Sequence, residues 1–180
     1  MSVVTPPTTG LRPAGPDDLD AITDLHSEAR TAYYRAGGWS EPELTTAETW
    51  CDRRAAWQRA LTGGHRHILC ALRDGDLTGV VSMGPPADTD LDATTAGQLY
   101  QIHVRPDCWG QGVGSRLHAA YVRFLHESSL HTGVLEAWER NTRAHAFYAR
   151  HGWHQDGHRR PGPGGADYVR LRLRTPGGEG

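Results

Sequence analysis

The stretch from Gln98 to Leu117, QLYQIHVRPDCWGQGVGSRL, constrains this chain most. Residues 98–104 are rich in β-branched and aromatic types, hold no Gly or Pro, and predict a strand. Pro106 stops it, because proline has no N–H to give to a ladder. Gly110, Gly112 and Gly114 follow in alternation, and Val113, Leu117 and Tyr121 recur at the four-residue spacing of a buried helix face. A strand that turns sharply into a helix leaves the first helical N–H groups unpaired at the positive end of the dipole. Glycines remove the Cβ atoms that would keep an anion away from them. Two readings stay open at this point: a pyrophosphate cradle, or a flexible turn that holds no ligand. Neither nucleotide fingerprint fits. In G-x-G-x-x-G the third glycine comes one residue later, and the P-loop needs a lysine that does not follow here.

The chain has 180 residues, enough for one domain with a real core. We expect that domain at residues 10–175, with flexible tails at 1–9 and 176–180. Hydrophobic residues make up only 37%, but 22 Gly and 11 Pro enlarge the loop share, and the segments between loops stay periodic. A net charge of −2 and a pI near 6.6 argue against nucleic acid as a partner. No run approaches the ~18 apolar residues of a membrane span. The polar first 16 residues hold no signal-peptide core. Cys51, Cys70 and Cys108 are odd in number and widely spaced, as free thiols of a cytoplasmic protein would be. A nucleophilic role for one of them is the alternative to simple packing.

Pro13 limits an edge strand at 11–13, and Pro16-Asp17-Asp18 opens a helix with the stripe Leu19, Ile22, Leu25, Ala29 and Ala32. Gly37-Gly38 breaks it. Thr45-Thr46-Ala47-Glu48 suggests a capping box for a second helix running to Leu61, with Trp50, Trp57 and Leu61 on one face. Strands at 67–72 and 77–83 flank the turn Arg73-Asp74-Gly75-Asp76. A polar connection runs through 84–95, and the helix after the glycines continues to about Ser128. A strand at 133–139, a helix opened by Asn141-Thr142-Arg143, a short extended piece at 153–155 and a Gly/Pro/Arg loop at 157–166 follow. Residues 168–174 alternate, with Val169, Leu171 and Leu173 on one face. The order is strand, two helices, three strands, helix, strand, helix, two strands: an α/β (α+β) architecture of mixed sheet and covering helices. If 168–174 is an edge strand, it would allow pairing across a homodimer.

Val104-Arg105-Pro106-Asp107-Cys108-Trp109-Gly110-Gln111-Gly112-Val113-Gly114 resembles the V-x-P-x-x-[RQ]-G-x-G-x-G signature of the GNAT superfamily of acyl-CoA-dependent N-acetyltransferases. Asn141-Thr142-Arg143-Ala144-His145-Ala146-Phe147-Tyr148, with Gly152 and Trp153, is similar to that family's N-x-x-A-x-x-F-Y-x-x-x-G-F element. The element order also agrees along residues 10–174. The resemblance implies a mostly antiparallel sheet of about six to seven strands with about four helices, splayed between its fourth and fifth strands to admit acetyl-CoA.

It implies further that backbone amides of Gln111, Gly112, Val113, Gly114 and Ser115 hold the pyrophosphate. Backbone groups of Ile102, His103 and Val104 would hold the pantetheine arm as an exposed strand edge can. Asn141 would bind that arm too, or serve only as a helix N-cap. Tyr148 matches the family's general acid beside the CoA sulfur, the alternative being packing against Phe147. A neutral amine would attack the thioester directly, with a backbone N–H of the 102–104 strand assisting the oxyanion.

Two positions depart from the pattern. The family's glutamate base falls at Gln98, which cannot take a proton, leaving Tyr100, Gln101, His103, Glu136 and Glu139 nearby. Trp109 stands where Arg or Gln is usual. The first two helices would shape the acceptor pocket from Tyr33, Tyr34, Trp39, Glu41, Glu43 and Trp50, for a small-molecule amine or a protein amino group. The 11 histidines form no ligand spacing, so no metal is expected. Rival readings are a catalytically silent acyl-CoA-binding regulatory module on the same fold and, less well matched by the glycines, a nucleotide-binding protein.

Overall fold

The computed structural model describes residues 9–39 and 46–175. Its elements run β1 (Thr9–Pro13), α1 (Leu19–Ala36), α2 (Ala47–Thr62), β2 (His67–Arg73), β3 (Asp76–Gly84), β4 (Ala96–Val104), α3 (Val113–Glu127), β5 (Thr132–Trp138), α4 (Thr142–Arg150), β6 (His154–Pro161) and β7 (Asp167–Arg174). The strands form one seven-stranded sheet in the order β1-β2-β3-β4-β5-β7-β6, antiparallel except for β4 and β5. This is the mixed α/β architecture expected, element for element.

The helices sort onto the two faces because side chains alternate along each strand. On one face Leu19, Ile22 and Leu25 of α1 and Trp57 of α2 bury Ile68, Cys70 and Val80. On the other, Val113, Leu117, Tyr121 and Leu125 of α3 pack on Val81, Met83, Leu99, Leu135, Val169 and Leu171, joined by Tyr148 of α4. A third cluster of Tyr34, Trp138 and Ala166 ties the end of α1 to the far half of the sheet. Gly37 lets them close up: a Cβ there would lie 2.3 Å from the Trp138 ring.

Local signals explain most element ends. Asp74 and Gly75 both take positive φ, the conformation of a two-residue hairpin turn. Asp18 accepts from the Gly15 N–H and pairs with Arg12 in the turn before α1. That turn, Pro16–Asp18, is a 3-10 segment ahead of the α-helix. The N-cap of α2 is Thr46, whose hydroxyl accepts from the Thr49 N–H, so Glu48 is not the reciprocal partner expected; Thr45 lies outside the described residues.

Two expectations fail at the C-terminal end. Residues 157–161 are not loop but the second half of β6, which pairs with β7 after a slip between Gln155 and Arg159. The strand is almost wholly exposed, so no apolar alternation marks it, and Gly157, at φ +91°, interrupts the pattern. Its own arginines reach carboxylates beside it: Arg159 bonds Glu139 and Asp167, and Arg160 bonds Glu136. Consequently β7 sits between β5 and β6 and is not an edge, which removes the basis for pairing two copies through 168–174.

The parallel contact of β4 with β5 is brief. Ala96, Gly97 and Gln98 pair with Thr132, Gly133 and Val134, and beyond Gln98 the two strands have no further paired residues. The gap opens where the glycine turn and α4 converge.

Candidate active site

Two cavities open at this divergence. The larger, about 890 Å³, runs along Ile102, His103 and Val104 to the glycine turn and the first turns of α3 and α4. The smaller, about 310 Å³, lies on the side of α1 and the β4 and β5 faces. They share Tyr33, Ile102, His103, Asn141, Ala144 and Tyr148.

At the far end of the larger cavity, Gly110 and Gly112 have φ of +74° and +82°, which other residues adopt only with strain. A Cβ on either would meet nothing within 4 Å, so the turn faces open space. Gly112 caps α3 without a side-chain bond, and the first amide with a helical partner is that of Arg116, bonded to Gly112 O at 3.2 Å. The amides ahead of it are available to an anion. Arg143 and Arg150 line the same cavity, and neither has a carboxylate partner among the described residues. A pyrophosphate therefore fits this end on charge and on space.

Trp109 also lines it, where the family pattern has Arg or Gln. Its indole N–H donates to Val104 O at 2.8 Å, and the Arg143 guanidinium lies 4.6 Å from the ring centroid. The lost side chain is thus replaced by a cation brought from α4 and stacked on an aromatic face.

The other expected residues divide. Ile102, His103, Val104, Gly112, Gly114, Ser115, Asn141 and Tyr148 all line the larger cavity. The side chains of Gln111 and Val113 do not. Gln111 bonds Arg73 and the carbonyl of Asp107, and Val113 is buried in the core, so each has only its backbone to offer. Asn141 is the α4 N-cap, its Oδ1 accepting from Ala144 N at 3.2 Å, which leaves its NH₂ for the cavities it lines.

Tyr148 is 7% exposed and borders both cavities. Its hydroxyl makes no hydrogen bond among the described residues. Burial pushes its pKa far above the ordinary phenol value, so it carries its proton at any physiological pH. It can donate; it cannot act as a base.

The groups considered for a base are otherwise engaged. Gln98 accepts from Ala87 N at 2.8 Å and pins the 84–95 connection. Tyr100 bonds Pro85 O. Glu136 is held by Arg160, and Glu139 lies beyond β5, bonded to Arg159 and the Asp167 N–H. His103 stacks on His26 at 4.0 Å and bonds Gln101 at 2.7 Å. Burial first, then the charges of Arg30 and Arg53, lower its pKa to about 3, so it is neutral and weakly basic.

Of the expected acceptor wall, Tyr33 lines both cavities. Tyr34 and Trp39 do not. Tyr34 is fully buried against Trp138, Trp39 packs on Tyr34, and both serve the third core cluster. Trp50 bonds Asp24 in a separate outer groove between α1 and α2. Glu41 and Glu43 lie outside the described residues. Sequence reasoning missed His26 and Arg30, which border the smaller cavity. His26, Arg30 and Tyr33 recur at spacings of four and three residues, the spacing of one helix side, which could have placed them beside the apolar stripe. Asp88, Glu136 and His158 bring ligand atoms within 4.8 Å of one another, but Arg170 and Arg160 already engage the two carboxylates.

A splayed β4–β5 pair with an open helix N-terminus at its mouth defines a class, and residues 19–153 match the model of the acetyltransferase (GNAT) family. The chain belongs to that family. It is 29% identical over 150 residues to a mycothiol acetyltransferase of Sanguibacter keddieii, covering 82% of this chain but only 44% of that protein. An uncharacterized N-acetyltransferase of Archaeoglobus fulgidus is 26% identical, with 87% and 97% of the two chains covered. The fold is shared with the PaiA N-acetyltransferase of Thermoplasma acidophilum, solved in complex with coenzyme A. That likeness has a TM-score of 0.72 at 16% identity, over 93% of this chain and 99% of that one. This chain spans less than half the length of the mycothiol acetyltransferases it matches. No helix among the described residues is long and apolar enough to cross a membrane.

Proposed function

We propose that this chain transfers an acetyl group from acetyl-CoA to a primary amine by direct attack, with residues 10–175 acting as one domain. The observation that carries this reading is the meeting of two cavities at Tyr148, one ending on an open helix N-terminus and the other on a polar pocket. Bound acetyl-CoA would supply an activated thioester. The amides of Gln111, Gly112, Val113, Gly114 and Ser115, with Arg143 and Arg150, would hold its pyrophosphate. The unpaired edge of Ile102 to Val104 and the Asn141 NH₂ would align its arm.

The amine nitrogen would enter from the smaller cavity and form the new bond to carbon as the C–S bond breaks. A backbone N–H on the 102–104 edge would donate to the carbonyl oxygen as charge develops there. Tyr148 O–H would donate toward the leaving sulfur. Because its pKa is raised, the hydrogen bond to the thiolate is the larger part of its contribution, and full proton transfer needs charge compensation at the phenol. Among the described residues no side chain is poised as a base, so the amine would arrive neutral or lose its proton to water, and the proton that its nitrogen sheds on forming the amide would also go to water. The free thiols fit a reducing cytoplasm.

The test is release of free CoA across an amine panel, with acetyl-CoA binding measured in parallel. Tyr148→Phe is expected to lower kcat by about 10²-fold with little change in acetyl-CoA affinity. An unchanged kcat refutes the acid role. Tight acetyl-CoA binding with no turnover on any amine would favour the silent module instead.

A further inference from the structure

The smaller cavity contains one charge that no described residue balances. Arg30, on the inner side of α1, lines it, and its Nε is buried without a hydrogen-bond partner. The guanidinium rests 5.0 Å from the centroid of the Tyr34 ring and joins no ion pair among the described residues. Glu136, the carboxylate in the same cavity, is matched by Arg160. The next cation outward, Arg53, bonds the Ser27 hydroxyl at 2.5 Å rather than an acid. A partly desolvated guanidinium with unused donors is costly unless an anion completes it. Its planar fork suits a carboxylate, taken by two parallel N–H donors.

We propose that the acceptor is an amine that also bears a carboxylate, an α-amino acid in chemical class, with the carboxylate on Arg30 and the amine toward Tyr148. Arg30 and Tyr148 border one cavity of about 310 Å³, at the small end of the ~300–1,000 Å³ of ligand pockets. That size suits a free small molecule better than a folded partner. A protein amino terminus, whose carboxyl is locked in a peptide bond, lacks the group that Arg30 calls for. Tyr33, Tyr100 and Tyr168 also border the cavity and give it aromatic walls with polar tips, fit for a side chain of mixed character. An anion at Arg30 would also offset one of the two positive charges that, after burial, hold His103 low.

The proposal rests on the transfer reading for its amine end and on Arg30 alone for its carboxylate end, so the experiment reads them separately. Amino acids, their carboxamides and their decarboxylated amines are compared in the presence of acetyl-CoA for turnover. In the presence of CoA they are compared for binding by calorimetry. The expected result is a preference of about 10- to 100-fold for the free acid over its carboxamide, from charge-assisted bonds. Arg30→Gln should abolish that preference while acetyl-CoA affinity stays unchanged, and Arg30→Lys should retain part of it. Carboxylate-dependent binding without turnover supports the Arg30 site and overturns the transfer reading. Equal use of acids and carboxamides, no binding by any acid, or a preference for phosphoethanolamine over every amino acid overturns the proposal. If Arg30→Gln does not fold, the wild-type comparison of acid with carboxamide decides by itself.

Discussion

His118 is buried on α3, and its Nε2 accepts the indole N–H of Trp153 at 2.8 Å. The bond exists only for the neutral ring, because a protonated Nε2 would set one N–H against another. Burial, with a smaller contribution from His151, whose ring centroid lies 4.2 Å away, lowers its pKa from 6.5 to about 4. The unfolded chain therefore binds a proton between those values that the folded chain refuses. Stability from this residue is whole above pH about 6.5 and falls by about 1.4 kcal/mol per pH unit on acidification, about 3 kcal/mol by pH 4. His26 repeats the arrangement: its Nδ1 accepts from Trp57 Nε1 at 3.0 Å, and burial holds its pKa well below 6.5. His103, which burial and two arginines lower to about 3, steepens the wild-type loss of stability on acidification in the same direction.

Urea unfolding followed by circular dichroism at pH 7.5, 6.5, 5.5 and 4.5, on wild type and His118→Phe, tests this. At pH 7.5 the variant should be weaker by about 1–3 kcal/mol, because the Trp153 N–H has lost its acceptor. As pH falls the wild type should lose its advantage, and the two curves should converge or cross. A gap that stays constant from pH 7.5 to 4.5 would refute the reasoning, since it would mean that His118 protonates alike in both states.

Gly112→Ala should cost about 1 kcal/mol of stability, all of it from the left-handed backbone, since the new methyl meets nothing within 4 Å. Acetyl-CoA affinity, measured by calorimetry, should fall about tenfold as the methyl enters the anion's space; unchanged affinity would exclude the turn as the cradle. Arg170, its side chain 7% exposed, bonds Asp156 at 2.7 Å and reaches Asp90 and Asp88 at 3.1 and 3.3 Å. Arg170→Met should cost about 2 kcal/mol in urea melts, because the carboxylate of Asp156, only 12% exposed, loses one of two arginine partners and keeps Arg172 at 2.6 Å; a change below about 0.5 kcal/mol, the level of an exposed pair, would show the network to be solvated.

The sequence revealed what depends on local chemistry. Asp74-Gly75 announced a hairpin, Pro106 a strand end, Asn141 a helix cap, and Gly110 and Gly112 a turn that only glycine enters cheaply. It concealed what depends on partners distant along the chain. The second half of β6 holds because Arg159 and Arg160 meet acids from β5, its end and β7, and nothing in His158-Arg159-Arg160 by itself reads as a strand. Tyr34 and Trp39 looked like pocket walls because aromatics serve sites and cores alike; only the approach of Trp138 through Gly37 assigns them to the core. Nothing in the sequence around Arg30 marks it off from the other arginines of the helices. What singles it out is that no described residue supplies a counter-charge, a property of its surroundings.

The β4–β5 contact gives the sheet a fault line only three residue pairs long. On one side lie β1 to β4, on the other β5, β7 and β6, and the core under α3 and the Tyr34–Trp138 cluster bridge them. A ligand lying along the open edge of β4 then works as a removable rung of the ladder. Depletion of acetyl-CoA would leave the two halves joined by three strand pairs, by the core under α3 and by the Tyr34–Trp138 cluster, and amide exchange and proteolytic nicking should concentrate along the open part of that line. If acetyl-CoA is that ligand, its supply would bear on the stability of the protein as well as on the proposed transfer.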